Sequence, residues 1–317
     1  MAGRIGLLAL GLVALVATTP SLSIGQFVSK DPGVRAGAAG AGGMLPGLTP
    51  GEQSYFHAGV EAFSEVSMLE NSLGPRFNLD SCGGCHIQPA LGGTSPAVNP
   101  QVAIATQFGA KNKVPPFVRS NGPIVEARFK YDKTGERDGS VHALFVISGR
   151  KDGTGDATGC VIYQDQFDSE FAAGNVSLRI PSPVFGTGLI EMIPDKAITD
   201  QLINDVGRKV TLGIVGRVNK AKAGGEANRS GNDGTVMRFG WKAQNKSLLI
   251  FAGEAYNVEQ GVTNEMFQTE RDETPGCLLV TSPNDTTNTR HDAARSLQRP
   301  RTLRLLHEVP RRAEAVD

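Results

Sequence analysis

A five-residue motif near the front of the chain, Cys82-Gly83-Gly84-Cys85-His86, constrains this sequence more than any other feature. The spacing Cys-x-x-Cys-His is the attachment site of a c-type haem, whose two vinyl groups each receive one thiol. The following histidine then lies under the iron and donates an imidazole nitrogen as proximal ligand. Gly83 and Gly84 have no side chains, which leaves the backbone room to approach the macrocycle. The motif predicts one covalently attached haem c held by Cys82, Cys85 and His86.

Three other interpretations of the motif compete with haem attachment. A thioredoxin-like dithiol also uses Cys-x-x-Cys, but the preceding Asn78-Leu79-Asp80-Ser81 does not have the pattern of a strand. A zinc site would need remote ligands, since no second closely spaced Cys/His pair exists. A chance match is the third alternative in a chain with 4 cysteines and 5 histidines. The specificity of the spacing favours haem over all three.

The N-terminus has the pattern of a secretory signal over residues 1–23. Arg4 supplies a positive charge, residues 5–17 are apolar, and Pro20 ends the run before the small residues of Ser21-Leu22-Ser23. The apolar run is too short to span a bilayer comfortably, so we expect cleavage rather than an uncleaved anchor. The sequence predicts a periplasmic or secreted protein with no stable membrane span after signal removal.

The balance of charges bears on the class of partner, and the number of cysteines bears on disulfide bonding. Lysine plus arginine equals aspartate plus glutamate at 32 each, which gives no indication of a nucleic-acid partner. If haem takes two of the 4 cysteines, Cys160 and Cys277 remain, and an even remainder in an oxidising compartment favours a disulfide between them. Two free buried thiols are the alternative.

Composition divides the chain into a linker and a folded region. Residues 24–48 are rich in glycine and alanine and form a predicted linker. Thr49-Pro50-Gly51-Glu52 is a capping box, and it predicts a helix over 50–69. Periodicity predicts further elements, which are a hairpin of 124–131 with 141–148, a strand over 176–180, and helices over 195–206 and 241–258.

Four short runs make the chain resemble the bacterial di-haem oxidoreductases, sometimes called thiol oxidoreductases, which are related to di-haem cytochrome c peroxidases. The runs are 73–78 leading into the haem motif, 180–186, 188–191 and 239–243. The resemblance covers about residues 49 to 277. It implies an exported c-type cytochrome with two haem domains that moves electrons, with peroxide reduction as a candidate activity. The second Cys-x-x-Cys-His of that family is missing here.

The expected fold is therefore mainly α, a cytochrome c-like haem domain over 49–277 with a β-hairpin and long loop insertions. The distal side of the iron has several candidate ligands, which are Met68, Met192, Met237, Met266 and His142.

The last forty residues, 278–317, differ abruptly in composition from the rest. They hold seven arginines and no lysine, glycine or aromatic residue, whereas the preceding chain holds 39 glycines and 12 lysines. This change favours a shifted reading frame that removes a second haem domain; a natural basic tail is the alternative.

The predicted function is electron transfer by an exported c-type haem protein. Its expected partner is a redox protein or a small-molecule oxidant. Two alternatives stay open: a peroxidase or thiol-oxidising enzyme in its own right, and a truncated, inactive remnant that still binds haem. Whether the chain is an enzyme is not decided by the sequence.

Overall fold

A computed structural model describes residues 40–220 and 236–285. The predicted signal peptide (1–23), most of the predicted linker (24–48) and the Arg-rich tail beyond residue 285 lie outside the described residues, so the structure does not bear on the proposed frame shift. Among the described helices, none is long and apolar enough to cross a membrane.

The helices of the described residues are short. They are α1 (Pro50–Ser64), α2 (Cys82–Cys85), α3 (Gln101–Ile104), α4 (Phe167–Ala172), α5 (Thr187–Met192), α6 (Asp195–Ile203), α7 (Val206–Thr211) and α8 (Leu248–Ala255). A 3-10 turn covers Gln107–Gly109, and a π-helical turn, Tyr256–Gln260, continues α8.

The strands of the described residues form three two-stranded antiparallel sheets. The strands are β1 (Arg76–Phe77), β2 (Glu126–Phe129), β3 (Phe145–Val146), β4 (Lys151–Asp152), β5 (Gly155–Asp156) and β6 (Val176–Arg179). β1 pairs with β3, β2 with β6, and β4 with β5.

The expectation of a mainly α, cytochrome c-like fold is wrong. Helices make up 29% of the described chain, while strands and isolated bridges make up 11%. The largest core cluster is built around strands and loops, with Phe77, Leu144 and Phe145 completely buried. Many glycines adopt left-handed φ angles that end regular elements. The buried apolar side chains therefore come from short segments and not from the apolar faces of long helices.

The predicted hairpin of 124–131 with 141–148 is also wrong. β2, in the first segment, pairs with β6, and β3, in the second, pairs with β1. The two predicted arms share one isolated bridge, between Ala127 and His142. From the sequence, each of these segments was expected to pair with the strand nearest to it along the chain. In the folded protein both segments lie in the core, and each pairs with a strand that is remote in sequence.

Two helix predictions illustrate what local signals determine. α1 begins at Thr49 with the complete predicted capping box and ends at Ser64, five residues early. The helix predicted over 241–258 begins only at Leu248. Lys242 and Ala243 have φ near +55°, a left-handed conformation that no helix continues through. A bridge between Phe239 and Asn245 closes this turn.

Cys160 and Cys277 form the disulfide that the sequence predicts. Both are buried in the main core cluster.

A second cluster of Phe63, Ala252, Tyr256 and Val262 packs between α1 and α8, with Cys82 against it. The Cys-x-x-Cys-His motif therefore lies beside this second cluster.

Candidate functional site

The motif cysteines are positioned by the single helical turn α2. The hydroxyl of Ser81 caps this turn by accepting a hydrogen bond from the Gly84 amide at 2.9 Å. The His86 amide donates to the Cys82 carbonyl at 2.9 Å and closes the turn. Residues three apart on a helical turn lie on one face, so the two thiols are presented together.

Gly83 and Gly84 pack closely against protein. A Cβ on Gly83 would lie 3.2 Å from the Phe63 carbonyl oxygen of α1, and one on Gly84 would lie 2.5 Å from Cδ2 of Leu79. The absent side chains let α2 approach α1 and Leu79. The room that the sequence assigned to a macrocycle is thus used, at these two positions, by the protein itself.

Cys82, Cys85 and His86 all line one cavity of about 640 Å³. Its volume lies within the range of about 300–1,000 Å³ usual for small-molecule and cofactor sites. Much of the wall is apolar and comes from α1, α8 and the segments before β2 and β3, including Phe63, Ile124, Val141, Leu248, Phe251 and Ala252. The three residues of the motif therefore converge on a single space.

Both thiols of the motif are free, and both cysteines are half-buried. Burial raises the pKa of Cys82 to about 12, although the Gln260 side-chain amide donates a hydrogen bond to its sulfur at 3.0 Å. Burial also raises the pKa of Cys85 well above its ordinary value. At neutral pH both sulfurs are protonated thiols.

His86 is held as a neutral imidazole. Burial lowers the pKa of His86, and hydrogen bonds with the backbone carbonyls of Gly93 and Ser182 act in the opposite direction. Nδ1 lies 3.0 Å from the Gly93 oxygen. A neutral ring that donates from Nδ1 keeps its lone pair on Nε2, and a partner of this kind orients most metal-binding histidines.

A pair of carboxyl groups, Glu126 and Glu259, also lines the cavity. Burial and the neighbouring Glu126 raise the pKa of Glu259 to about 8, against hydrogen bonding from Asn78 and the positive charge of Arg271. The Asn78 amide donates to Glu259 at 2.9 Å. Glu259 therefore holds a proton at neutral pH. The sequence reasoning missed it; the only signal was an acidic residue directly after an apolar helical run.

Three arginines, Arg128, Arg179 and Arg271, bring positive charge to the same cavity. The guanidinium carbon of Arg179 lies 3.7 Å from the centre of the Trp241 ring, a cation–π contact. These residues come from β2, β6 and the chain beyond the π turn. Sequence reasoning missed them because no local spacing links them.

The methionines considered as distal ligands, and His142, are not among the residues that line the cavity. Both ring nitrogens of His142 are engaged, with Asp138 at 2.7 Å and Asp165 at 3.1 Å. These carboxylates outweigh burial and raise the pKa of His142. Its ring also stacks on Phe129. The structure gives His142 a structural role and brings none of the five candidates to the motif.

No family model, curated protein or solved structure matches this chain. Within residues 40–220 and 236–285, no group of three or more histidine, cysteine or acidic side chains is arranged to hold a metal ion.

Proposed function

We propose that this chain is an exported c-type haem protein that transfers electrons. Cys82 and Cys85 would anchor one haem c, and His86 would be the proximal ligand of its iron. The observation that carries the proposal is the convergence of these three residues on one cavity. The predicted signal peptide supports export.

The residues of the cavity fit such a group. Both thiols are reduced and protonated, as thioether formation requires, because each sulfur bonds to one vinyl carbon while its hydrogen goes to the other. The apolar wall suits the macrocycle, and arginines are suited to its two carboxylates. A bound haem would carry one electron by cycling between ferric and ferrous iron.

The chain's own residues would tune this chemistry. The Gly93 carbonyl orients the His86 ring and increases its basicity as a ligand. The apolar wall of α8 keeps water from one side of the cavity. Arg128, Arg179 and Arg271 would set the local charge. Ligand basicity, burial and charge are the features by which a protein adjusts a haem potential.

The competing interpretations of the motif have less support. A dithiol that exchanges electrons through its thiolate has a lowered cysteine pKa, whereas burial raises the pKa of both Cys82 and Cys85. A structural zinc site needs four ligands, and the described residues hold no suitable group.

A second candidate is reduction of a peroxide to water, with a redox partner protein supplying the two electrons, and Glu259 favours it. A peroxidase needs a polar group that can deliver a proton near the reacting oxygen, and Glu259 holds one in the same cavity. Under this candidate, hydrogen peroxide changes the ferric spectrum of the haem-loaded protein, and Glu259→Gln slows the change. A spectrum that peroxide leaves unaltered rules peroxidase activity out.

The test of the main proposal is covalent haem. The full chain is expressed with a c-type haem maturation system and exported, then stained for haem after denaturing electrophoresis. We expect stain in the wild type and none in Cys82→Ser/Cys85→Ser. The matched control, Cys160→Ala/Cys277→Ala, keeps the stain. An unstained wild type, or stain that survives loss of both motif thiols, contradicts the proposal.

A further inference from the structure

The segment from α6 to residue 217 has an unusually exposed apolar surface. Every residue from 203 to 217 is exposed except the half-buried Arg208. Val210 is 73% exposed and Val215 is 88% exposed. Six apolar side chains in this segment are more than half exposed: Ile203, Val206, Val210, Leu212, Ile214 and Val215. We call these six the apolar face.

The apolar face has a defined local structure. Val206 and Val210 are four residues apart on α7 and therefore share one side of it. The Lys209 ammonium donates to the Leu202 carbonyl at 3.3 Å, which ties α7 to the end of α6. The Ile214 amide donates to the Lys209 carbonyl at 2.8 Å and turns the chain back. A Cβ on Gly216 would lie 3.3 Å from Leu202 of α6.

Residues 203–220, which carry the apolar face, have a net charge of +3 in a chain whose net charge is zero, because Asp205 offsets one of four basic side chains. Residues 206–220 contain four basic side chains and no acidic one; the basic residues are Arg208, Lys209, Arg217 and Lys220. Clustered positive charge beside exposed aliphatic side chains is typical of surfaces that bind an anionic lipid interface.

We infer that the apolar face and these four basic residues form a docking surface for an anionic lipid bilayer. The aliphatic side chains would enter the headgroup boundary while Arg208, Arg217 and Lys220 pair with lipid phosphates. Lys209 would add positive charge while it holds α7 to α6. The inference does not depend on haem attachment, because no residue of the segment lines the cavity.

A second copy of the chain fits this surface less well. Self-association through the apolar face would bring two segments of charge +3 together, since residues 203–220 hold four basic side chains and Asp205. The surface is also a projection rather than a groove, because nearly all of its residues are exposed. A fluid bilayer accommodates such a projection without a complementary pocket.

The test measures co-sedimentation of the full chain with vesicles. We expect binding to vesicles of phosphatidylglycerol with phosphatidylethanolamine, little binding to phosphatidylcholine alone, and weakening as salt is raised. Arg217→Glu/Lys220→Glu should weaken binding at least about 25-fold, from about fivefold for each positive charge lost. Val210→Ser/Val215→Ser, which leaves the charge unchanged, should also weaken binding, and a purely electrostatic contact would not predict this.

Matched controls lie elsewhere on the surface. Arg119→Glu/Lys133→Glu changes the net charge equally at exposed positions, and Val98→Ser/Val161→Ser replaces two exposed valines without changing the charge. Both controls should bind as the wild type does. No binding to anionic vesicles overturns the inference, as does equal weakening by the control pairs. Binding to soluble polyglutamate but not to vesicles also overturns it and identifies an acidic protein surface instead.

Discussion

Glu259 is the residue whose environment departs most from what its position in the sequence indicates. It is half-buried beside Glu126, with the Asn78 amide at 2.9 Å and Arg271 nearby. A carboxyl group in such a place holds its proton to about pH 8, whereas in the unfolded chain it loses the proton near its ordinary pKa of 4.5. Between these values the folded state binds more protons than the unfolded state.

The free energy of unfolding should therefore fall as pH rises from about 5 to 8. In Glu259→Gln, which cannot ionise, this fall should be shallower by up to about 1.4 kcal/mol per pH unit. Urea unfolding at several pH values measures the slope. The control Glu61→Gln, at an exposed position on α1, should leave the slope unchanged. Equal slopes in wild type and Glu259→Gln would contradict the assignment of a raised pKa.

Arg150 is a second residue whose role depends on burial. Its side chain is fully buried and pairs with Asp152 at 2.7 Å and Asp80 at 3.2 Å. Removing the guanidinium in Arg150→Ala leaves two buried carboxylates without their cation, which should lower the free energy of unfolding by about 3–5 kcal/mol. Chemical denaturation measures the loss. Arg119→Ala, at an exposed site, should change stability little; a similar loss in both variants would show that the pairing does not matter.

At the scale of elements, two glycines bring the chain before β1 against the end of the π turn. The Gly74 amide donates to the Gln260 carbonyl at 3.0 Å, and a Cβ on Gly74 would lie 2.2 Å from the Gly261 oxygen. Gly261 has a φ of +67°. This contact places Gln260 beside Cys82 and Glu259 beside Asn78, so it positions part of the cavity wall.

Gly74→Ala should destabilise the fold by about 1–3 kcal/mol, because the new methyl group meets backbone that must move. The loss is read from the midpoint of urea unfolding. Gly159→Ala is the matched control, since a Cβ there meets nothing within 4 Å. It should be neutral or slightly stabilising. A neutral Gly74→Ala would show that the two segments separate readily.

At the scale of the whole molecule, the Cys160–Cys277 disulfide joins parts of the core that are 117 residues apart. Closing a loop of that length reduces the entropy of the unfolded chain, and the stabilisation should be roughly 4–5 kcal/mol. Cys160→Ala/Cys277→Ala should lose about this amount. A reductant should destabilise the wild type but not the variant. An unfolding midpoint that the reductant does not shift would contradict a closed disulfide.

The elements that could be predicted best are those that depend on residues close together in the sequence. The capping box of α1 depends on Thr49 and Glu52, three residues apart, so the start of that helix needs no tertiary information. The short strand near Val176 was also predictable from alternation. The hairpin and the helix from residue 241 were wrong, because their outcome depends on remote partners and on the left-handed turn at Lys242 and Ala243.

The residues of the candidate site also fall into two groups, those that the sequence predicts and those that only the tertiary structure brings to the site. The sequence alone identified Cys82, Cys85 and His86, because the chemistry of the motif depends on the spacing of adjacent residues. Only the tertiary structure brought Glu259, Arg179 and the apolar wall of α8 to these residues. Burial creates the raised pKa of Glu259 and of both thiols, and burial is a property of chain segments that meet from distant parts of the sequence.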